Sequence, residues 1–235
     1  MEDINEKSAL IVVDMQNDFI IGSLCIKNGH ANEDPLEIVE PINKLIESNY
    51  FDLIIFTKDW HPDNHISFYE NIHNSDRLLS EENKNPKCFD NVLFIKPFEY
   101  RQIIFPKHCV SNTYGAEIHS DIVIPKNSYF VNKGIDTFHD SFSGFFDNHK
   151  VNKTELENIL KENNIKVVFV CGVAYEYCVS STANDASDLG FKTYLIKDCT
   201  KGLDFDEMKK AKEKMNERAV IEITSSEIFH LNNDS

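Results

Sequence analysis

Four short runs carry side chains able to do chemistry, and each follows or closes an apolar run: Asp14-Met-Gln-Asn-Asp18-Phe19, Lys58-Asp59-Trp-His61-Pro-Asp-Asn-His65, Asn132-Lys133-Gly134 and Gly172-Val-Ala-Tyr-Glu-Tyr-Cys178. Cys178 falls within the first turns of a stretch with helical spacing. A helix N-terminus and a nearby ammonium, here Lys133, both lower a thiol's pKa. Asp14 could take the thiol proton and return it to a leaving amine. Backbone N–H groups near Ala174 and Cys178 would face a developing oxyanion. The competing reading makes Cys178 a buried packing residue, the usual fate of a free cysteine, and Lys133 a solvated strand end. Spacing alone weighs the two readings of Cys178 evenly.

Asp59-x-His61 can supply two metal ligands from one extended segment. Oxygen and imidazole donors suit zinc or another transition ion, and an incomplete protein shell leaves room for water or substrate. A third ligand is required, and His65 and His108 are the candidates. The other histidines, at 30, 73, 119, 139, 149 and 230, show no partner pattern.

These runs must be positioned by the elements around them. Residues 9–14, 53–59, 129–133, 166–172, 193–197 and 219–224 read as strands. Several are continuous apolar runs, the pattern of strands covered on both faces. Helical spacing follows at Leu36, Val39, Ile42, Leu45 and Ile46, at Leu156, Ile159 and Leu160 after a capping Thr154, and from Tyr175 to Leu189, closed by Gly190. Strand alternating with helix predicts an α/β fold, a single domain over residues 1–235 with helices on both faces of a mostly parallel six-stranded sheet. In such sheets ligands bind beyond the carboxyl ends of the strands, where all four runs stand. Residues 60–128 break the rhythm and predict a long irregular insertion, with only fragments such as 92–95.

Composition narrows the partners. The 235 residues carry 24 Lys plus Arg against 39 Asp plus Glu, a formal net charge of −15 that repels nucleic acid and anionic membranes. Hydrophobic residues at 41% with 27% charged describe a globular chain. No apolar run approaches the roughly 18 residues of a membrane span, and the acidic N-terminus does not read as a signal peptide. Cysteines 25, 88, 109, 171, 178 and 199 include no CxxC pair, which predicts free thiols in a reducing compartment. A cytoplasmic protein is expected, with the nucleus as the alternative.

With Thr57-Lys-Asp59-Trp-His61-Pro-Asp-Asn-His65-Ile-Ser-Phe68, Pro106-Lys-His108-Cys-Val110 and the run continuing to Ala183 taken together, the chain resembles the isochorismatase-like cysteine hydrolases, and within them the nicotinamidase branch. The motifs occur in the family's order and span most of the chain up to about residue 200. The resemblance implies a catalytic triad of Asp14, Lys133 and Cys178, and one divalent metal held by Asp59, His61 and His108. Zinc is favoured, with manganese or iron as alternatives, and His65 stands behind the ligands. It further implies a cis Val173–Ala174 peptide, an oxyanion hole from the backbone N–H groups of Ala174 and Cys178, and an aromatic slot of Phe19, Phe105, Phe142 and Tyr177. The expected reaction is hydrolysis of nicotinamide to nicotinate and ammonia through a thioester, within NAD salvage. Whether copies of the chain associate is left open.

The sequence departs from the family at Phe105, where tryptophan is frequent, at Phe142, where tyrosine is frequent, and at Glu176, where aspartate is common. The slot keeps its aromatic character but loses a hydroxyl. Two other readings compete: a cysteine hydrolase of another small amide, which the histidine cluster disfavours, and a catalytically silent scaffold, which has no need of Asp14, Lys133 and Cys178 together.

Overall fold

Apolar runs bounded by polar turns become a parallel sheet in the computed structural model, which describes residues 6–228. Its six strands are β1 (Ser8–Val13), β2 (Leu53–Asp59), β6 (Tyr129–Lys133), β7 (Val167–Val173), β8 (Lys192–Lys201) and β9 (Ile221–Ile223). Their spatial order is β6-β2-β1-β7-β8-β9, and every pairing is parallel. β1 and β7 are buried along their whole lengths, because helices cover both faces and no position needs to be polar.

Alternation along β1 divides the core. Leu10 and Val12 pack with Phe56 and Phe169 against Ile42 and Leu45, on the side of helix α2 (Val39–Glu47). Ala9, Ile11 and Val13 face the other way, with Leu160, Ala183 and Met215. Those three come from α3 (Leu156–Glu162), α4 (Ser180–Asp188) and α5 (Phe205–Glu217). Thr154 Oγ accepts from the Leu156 N–H at 3.1 Å just ahead of α3, whose capping residue is Glu155 rather than the expected Thr154. Gly190 ends the α4 segment at φ +87°, a left-handed conformation that favours glycine.

The insertion is not irregular throughout. It contains a small antiparallel sheet of β3 (Leu78–Leu79), β4 (Asn91–Lys96) and β5 (Tyr100–Ile103). Beneath it lies a separate core of Ile66, Ile72, Val92, Phe94, Tyr100 and Ile104. The sheet leads directly into Phe105 and His108, and so braces the segment carrying both. No helix among the described residues is long and apolar enough to cross a membrane.

Candidate active site

The order β6-β2-β1-β7 sets Lys133, Asp59, Asp14 and the turn bearing Cys178 side by side at the carboxyl edge. Adjacent strands stand about 4.8 Å apart, within reach of side-chain hydrogen bonds. Lys133 pairs in register with Asp59. Chain direction changes sharply just past β1, where Asp14 has φ +50°. Gly172 is required at the end of β7: at φ +113°, a Cβ there would lie 2.1 Å from the Val13 carbonyl oxygen. The Val173–Ala174 peptide is cis. The chain then enters a π-helical turn, Tyr175–Val179, continuous with α4 and carrying Cys178.

Lys133 is fully buried and joins the groups. Its Nζ pairs with Asp59 Oδ1, lies 2.9 Å from Asp14 Oδ2, donates to the Ser141 carbonyl at 3.0 Å and reaches Cys178 Sγ at 3.2 Å. Burial would discharge this ammonium, but the charges of Asp14 and Asp59 outweigh burial and hold its pKa well above the usual lysine range. Burial likewise favours the neutral form of Asp59; Lys133 and then His61 reverse that and hold it well below the carboxylate range. For Asp14 burial prevails over Lys133, so its pKa is raised.

Thr57 Oγ donates to Asp14 Oδ1 at 2.7 Å. Asp14 Oδ2 is ion-paired with Lys133, and the Asp14 carboxyl group stands within 4.8 Å of the thiol. Lys133 lowers the Cys178 pKa as expected, but it does not prevail. Burial raises the thiol well above its ordinary value; Lys133 opposes this, while Asp14 and Asp59 add to the rise. The sulfur therefore rests as a thiol and needs a base to ionise it.

The histidines gather beside Asp59. The Nε2 atoms of His61 and His108 stand 3.5 and 3.7 Å from Asp59 Oδ2. Donors bound at about 2.1 Å to a tetrahedral ion stand roughly 3.4 Å apart, so the spacing fits. His61 Nδ1 donates to the Gly134 carbonyl at 2.9 Å and His108 Nδ1 to that of Pro106 at 2.7 Å. These bonds leave each Nε2 to face the carboxylate, as second partners do for metal-bound imidazoles. Gly134 has φ +64°, and a Cβ there would come within 2.3 Å of the His61 ring.

His65 stacks on His61 at 4.1 Å between centroids, and its Nδ1 shares a 2.7 Å hydrogen bond with Ser67 Oγ. Its buried Nε2 has no hydrogen-bond partner. Burial, reinforced by His61 and His108, keeps this imidazole neutral. Asp59, His61 and His108 thus form a buried donor set with ligand atoms within 4.8 Å of one another, and their chemistry fits a divalent ion.

A narrow cleft opens over these groups, lined by Asp59, His108, Ala174 and Cys178. The expected aromatic residues Phe19, Phe105, Phe142 and Tyr177 all line it. Phe105 meets Tyr177 edge-on at 5.6 Å, Phe142 meets Tyr177 at 5.3 Å and Phe19 meets His108 at 5.4 Å. Asp14, Lys133 and His61 lie beneath this surface rather than on it. Sequence reasoning missed Leu24, Asp140 and Leu203, which complete the lining. None carries a motif, and their place depends on how distant loops close.

Glu176, on the π-helical turn, is mostly buried; burial raises its pKa to about 7. A carboxyl group with a raised folded pKa costs stability when ionised, so that cost is present above pH 7 and gone below the unfolded value near 4.5. Glu176→Gln keeps the acceptor oxygen and removes the charge. It is expected to gain about 1–3 kcal/mol at pH 8 and little at pH 4.5. Denaturant titration at both pH values measures this, and equal gains at both would refute the assignment.

Known proteins agree with this geometry. Residues 8–227 match the Isochorismatase domain. The chain is 35% identical over 204 residues to the nicotinamidase of Saccharomyces cerevisiae, covering 84% of this chain and 89% of the yeast protein. The pyrazinamidase of Pyrococcus horikoshii in complex with zinc superposes with a TM-score of 0.70 at 32% identity, over 93% of this chain and 99% of that one. PnC1 from L. infantum in complex with nicotinate gives a TM-score of 0.74 at 30% identity, over 94% of each chain. With the domain match spanning residues 8–227 and a relative 35% identical over 84% of this sequence, the chain belongs to the isochorismatase family.

Proposed function

We propose that the protein is a metal-dependent cysteine amidase that hydrolyses nicotinamide to nicotinate and ammonia. The observation that carries this reading is the meeting in one cleft of a buried thiol and a carboxylate–imidazole donor set: Cys178 Sγ lies within 4.8 Å of carboxylate oxygens of Asp14 and Asp59. Such a slot can hold both ends of one small flat amide, and the relatives named nicotinamidase or pyrazinamidase support that substrate class.

Asp14 accepts the Cys178 proton as sulfur attacks the carboxamide carbon. The carbonyl oxygen becomes an oxyanion facing the backbone N–H groups of Ala174 and Cys178. Asp14 returns the proton to the amide nitrogen, the C–N bond breaks, ammonia leaves and a Cys178 thioester remains. Asp14 then takes a proton from an entering water; its hydroxide adds to the thioester carbon, the C–S bond breaks, and Asp14 reprotonates sulfur. Lys133 keeps its proton throughout and offsets the negative charge as it moves between Asp14 and Cys178. Phe19, Phe105, Phe142 and Tyr177 clasp the ring and hold it in attack geometry, a contribution of about 7–11 kcal/mol in well-oriented cases.

Asp59, His61 and His108 would hold one divalent ion, zinc foremost, which supplies a Lewis acid for a ring nitrogen. The product acid would feed NAD salvage. Ammonia release from nicotinamide and from other small amides, with and without chelator, tests the reading. Nicotinamide is expected to be the preferred substrate, with activity lost on chelation and regained on reloading. Metal-loaded protein that released no ammonia from nicotinamide would overturn the proposal. His61→Ala is expected to weaken metal affinity by about 100-fold or more, since even outer partners of metal ligands contribute 10–100-fold. Unchanged occupancy by elemental analysis would remove His61 from the ligand set.

A further inference from the structure

Glu176 shares its turn with Cys178, yet its carboxylate turns toward the chain leaving β8. Oε1 accepts from the backbone N–H groups of both Leu203 and Asp204, each at 2.8 Å. Leu203 is buried and lines the cleft that holds Cys178. Around Leu203, Gly202 N–H donates to Glu33 Oε2 at 2.7 Å, the Leu203 carbonyl accepts from Ala31 N–H at 2.8 Å, and Asp204 caps α5 and pairs with His30. Among the described residues, therefore, besides Glu176 only Ala31 holds the Leu203 main chain itself. A Cβ at Gly202 would lie 2.6 Å from Glu176 Oε2 and 2.7 Å from Met208 Sδ, so a side chain there would have to displace both tips. That Oε2 is buried and has no hydrogen-bond partner.

We infer that Glu176 is a positioning residue that fixes Leu203 as a wall of the substrate cleft and so sets which ring-substituted amides fit. The nucleophile and the tether of this wall are mounted on one turn, so the distance from sulfur to wall is set within a single element. The effect is on binding and selectivity, because Glu176 acts through Leu203 and does not touch the reacting atoms. This inference rests on the amidase reading for its kinetic consequence, while the tether itself can be measured without substrate.

Glu176→Ala, Glu176→Gln and Leu203→Ala are compared with the wild-type chain by steady-state ammonia release from nicotinamide and from a nicotinamide bearing a ring methyl group. Amide hydrogen exchange of the peptide containing residues 203 and 204 is followed in parallel. Glu176→Ala is expected to raise KM for nicotinamide about tenfold with kcat little changed, and to narrow the preference for the unsubstituted ring. Exchange at 203 and 204 should quicken about tenfold as the charged acceptor is lost. Glu176→Gln should restore both, because its amide oxygen can accept from the same two N–H groups.

Wild-type KM and protection in Glu176→Ala would overturn the inference, as would a glutamine variant no better than alanine. Should Glu176→Ala fail to fold, Leu203→Ala must reproduce the raised KM and narrowed preference with Glu176 in place; unchanged values there would overturn it. A wild-type protein inactive on nicotinamide would sink the amidase reading, whereas the exchange data would still decide whether the tether exists.

Discussion

Cys178→Ala is expected to lower ammonia release from nicotinamide by about 10⁴-fold or more, the scale on which loss of a covalent nucleophile acts. The loss is in kcat, because no other group in the cleft can form the acyl bond. The neighbouring thiols cannot substitute: Cys109 and Cys171 are fully buried and burial raises both well above the ordinary thiol range. Folding should survive, since the change removes one sulfur from a site already next to a cleft. Thermal melting and metal content are expected to match the wild type, which separates loss of chemistry from loss of structure. Turnover near the wild-type rate would show that the sulfur is not the nucleophile.

Lys133→Met is expected to destabilise the fold by about 3–5 kcal/mol at pH 7.5, the cost of leaving buried charge without its partner. Methionine matches the length of the lysine stem but leaves the carboxylates of Asp14 and Asp59 facing each other without the ammonium that now joins them. The pH dependence follows from the same charges. Without Lys133, burial and mutual repulsion push both carboxyl groups above their unfolded values, so the deficit is greatest where they are ionised and shrinks as pH falls. Urea titrations at pH 7.5 and 5.5 should show a smaller deficit at the lower pH. A variant as stable as the wild type at both would mean that the ammonium does not hold these carboxylates together.

The inner strands β1 and β7 were legible because each is an apolar run buried along its whole length, and such runs need no alternation to be seen. Four motifs at the strands' carboxyl ends then pointed to the candidate site, since parallel topology alone brings those ends to one edge. The small sheet was not legible. Its longest strand reads Asn-Val-Leu-Phe-Ile-Lys with Ile95 exposed, and its two-residue first strand carries no period. Helix α5 buries only Ala211 and Met215 along 13 residues, too thin a stripe to stand out among its charges.

The weight of burial on the thiol was not legible for a different reason. Proximity of a lysine can be read from motifs, but desolvation depends on everything that covers the sulfur, which no local spacing reports. Leu24 and Leu203 escaped notice likewise, because pocket walls made by returning loops are settled by packing over long sequence distances.

Lys133 has a further consequence for the proposed ion. Its ammonium already neutralises Asp59 and is held from below by Asp14 and the Ser141 carbonyl. The carboxylate can therefore wait inside the protein as one half of a pair, and the imidazoles beside it are pinned by main-chain oxygens that need no ion. Stripping and refilling should be a reversible exchange within a standing framework, with the apoprotein a shelf-stable species whose melting curve remains cooperative.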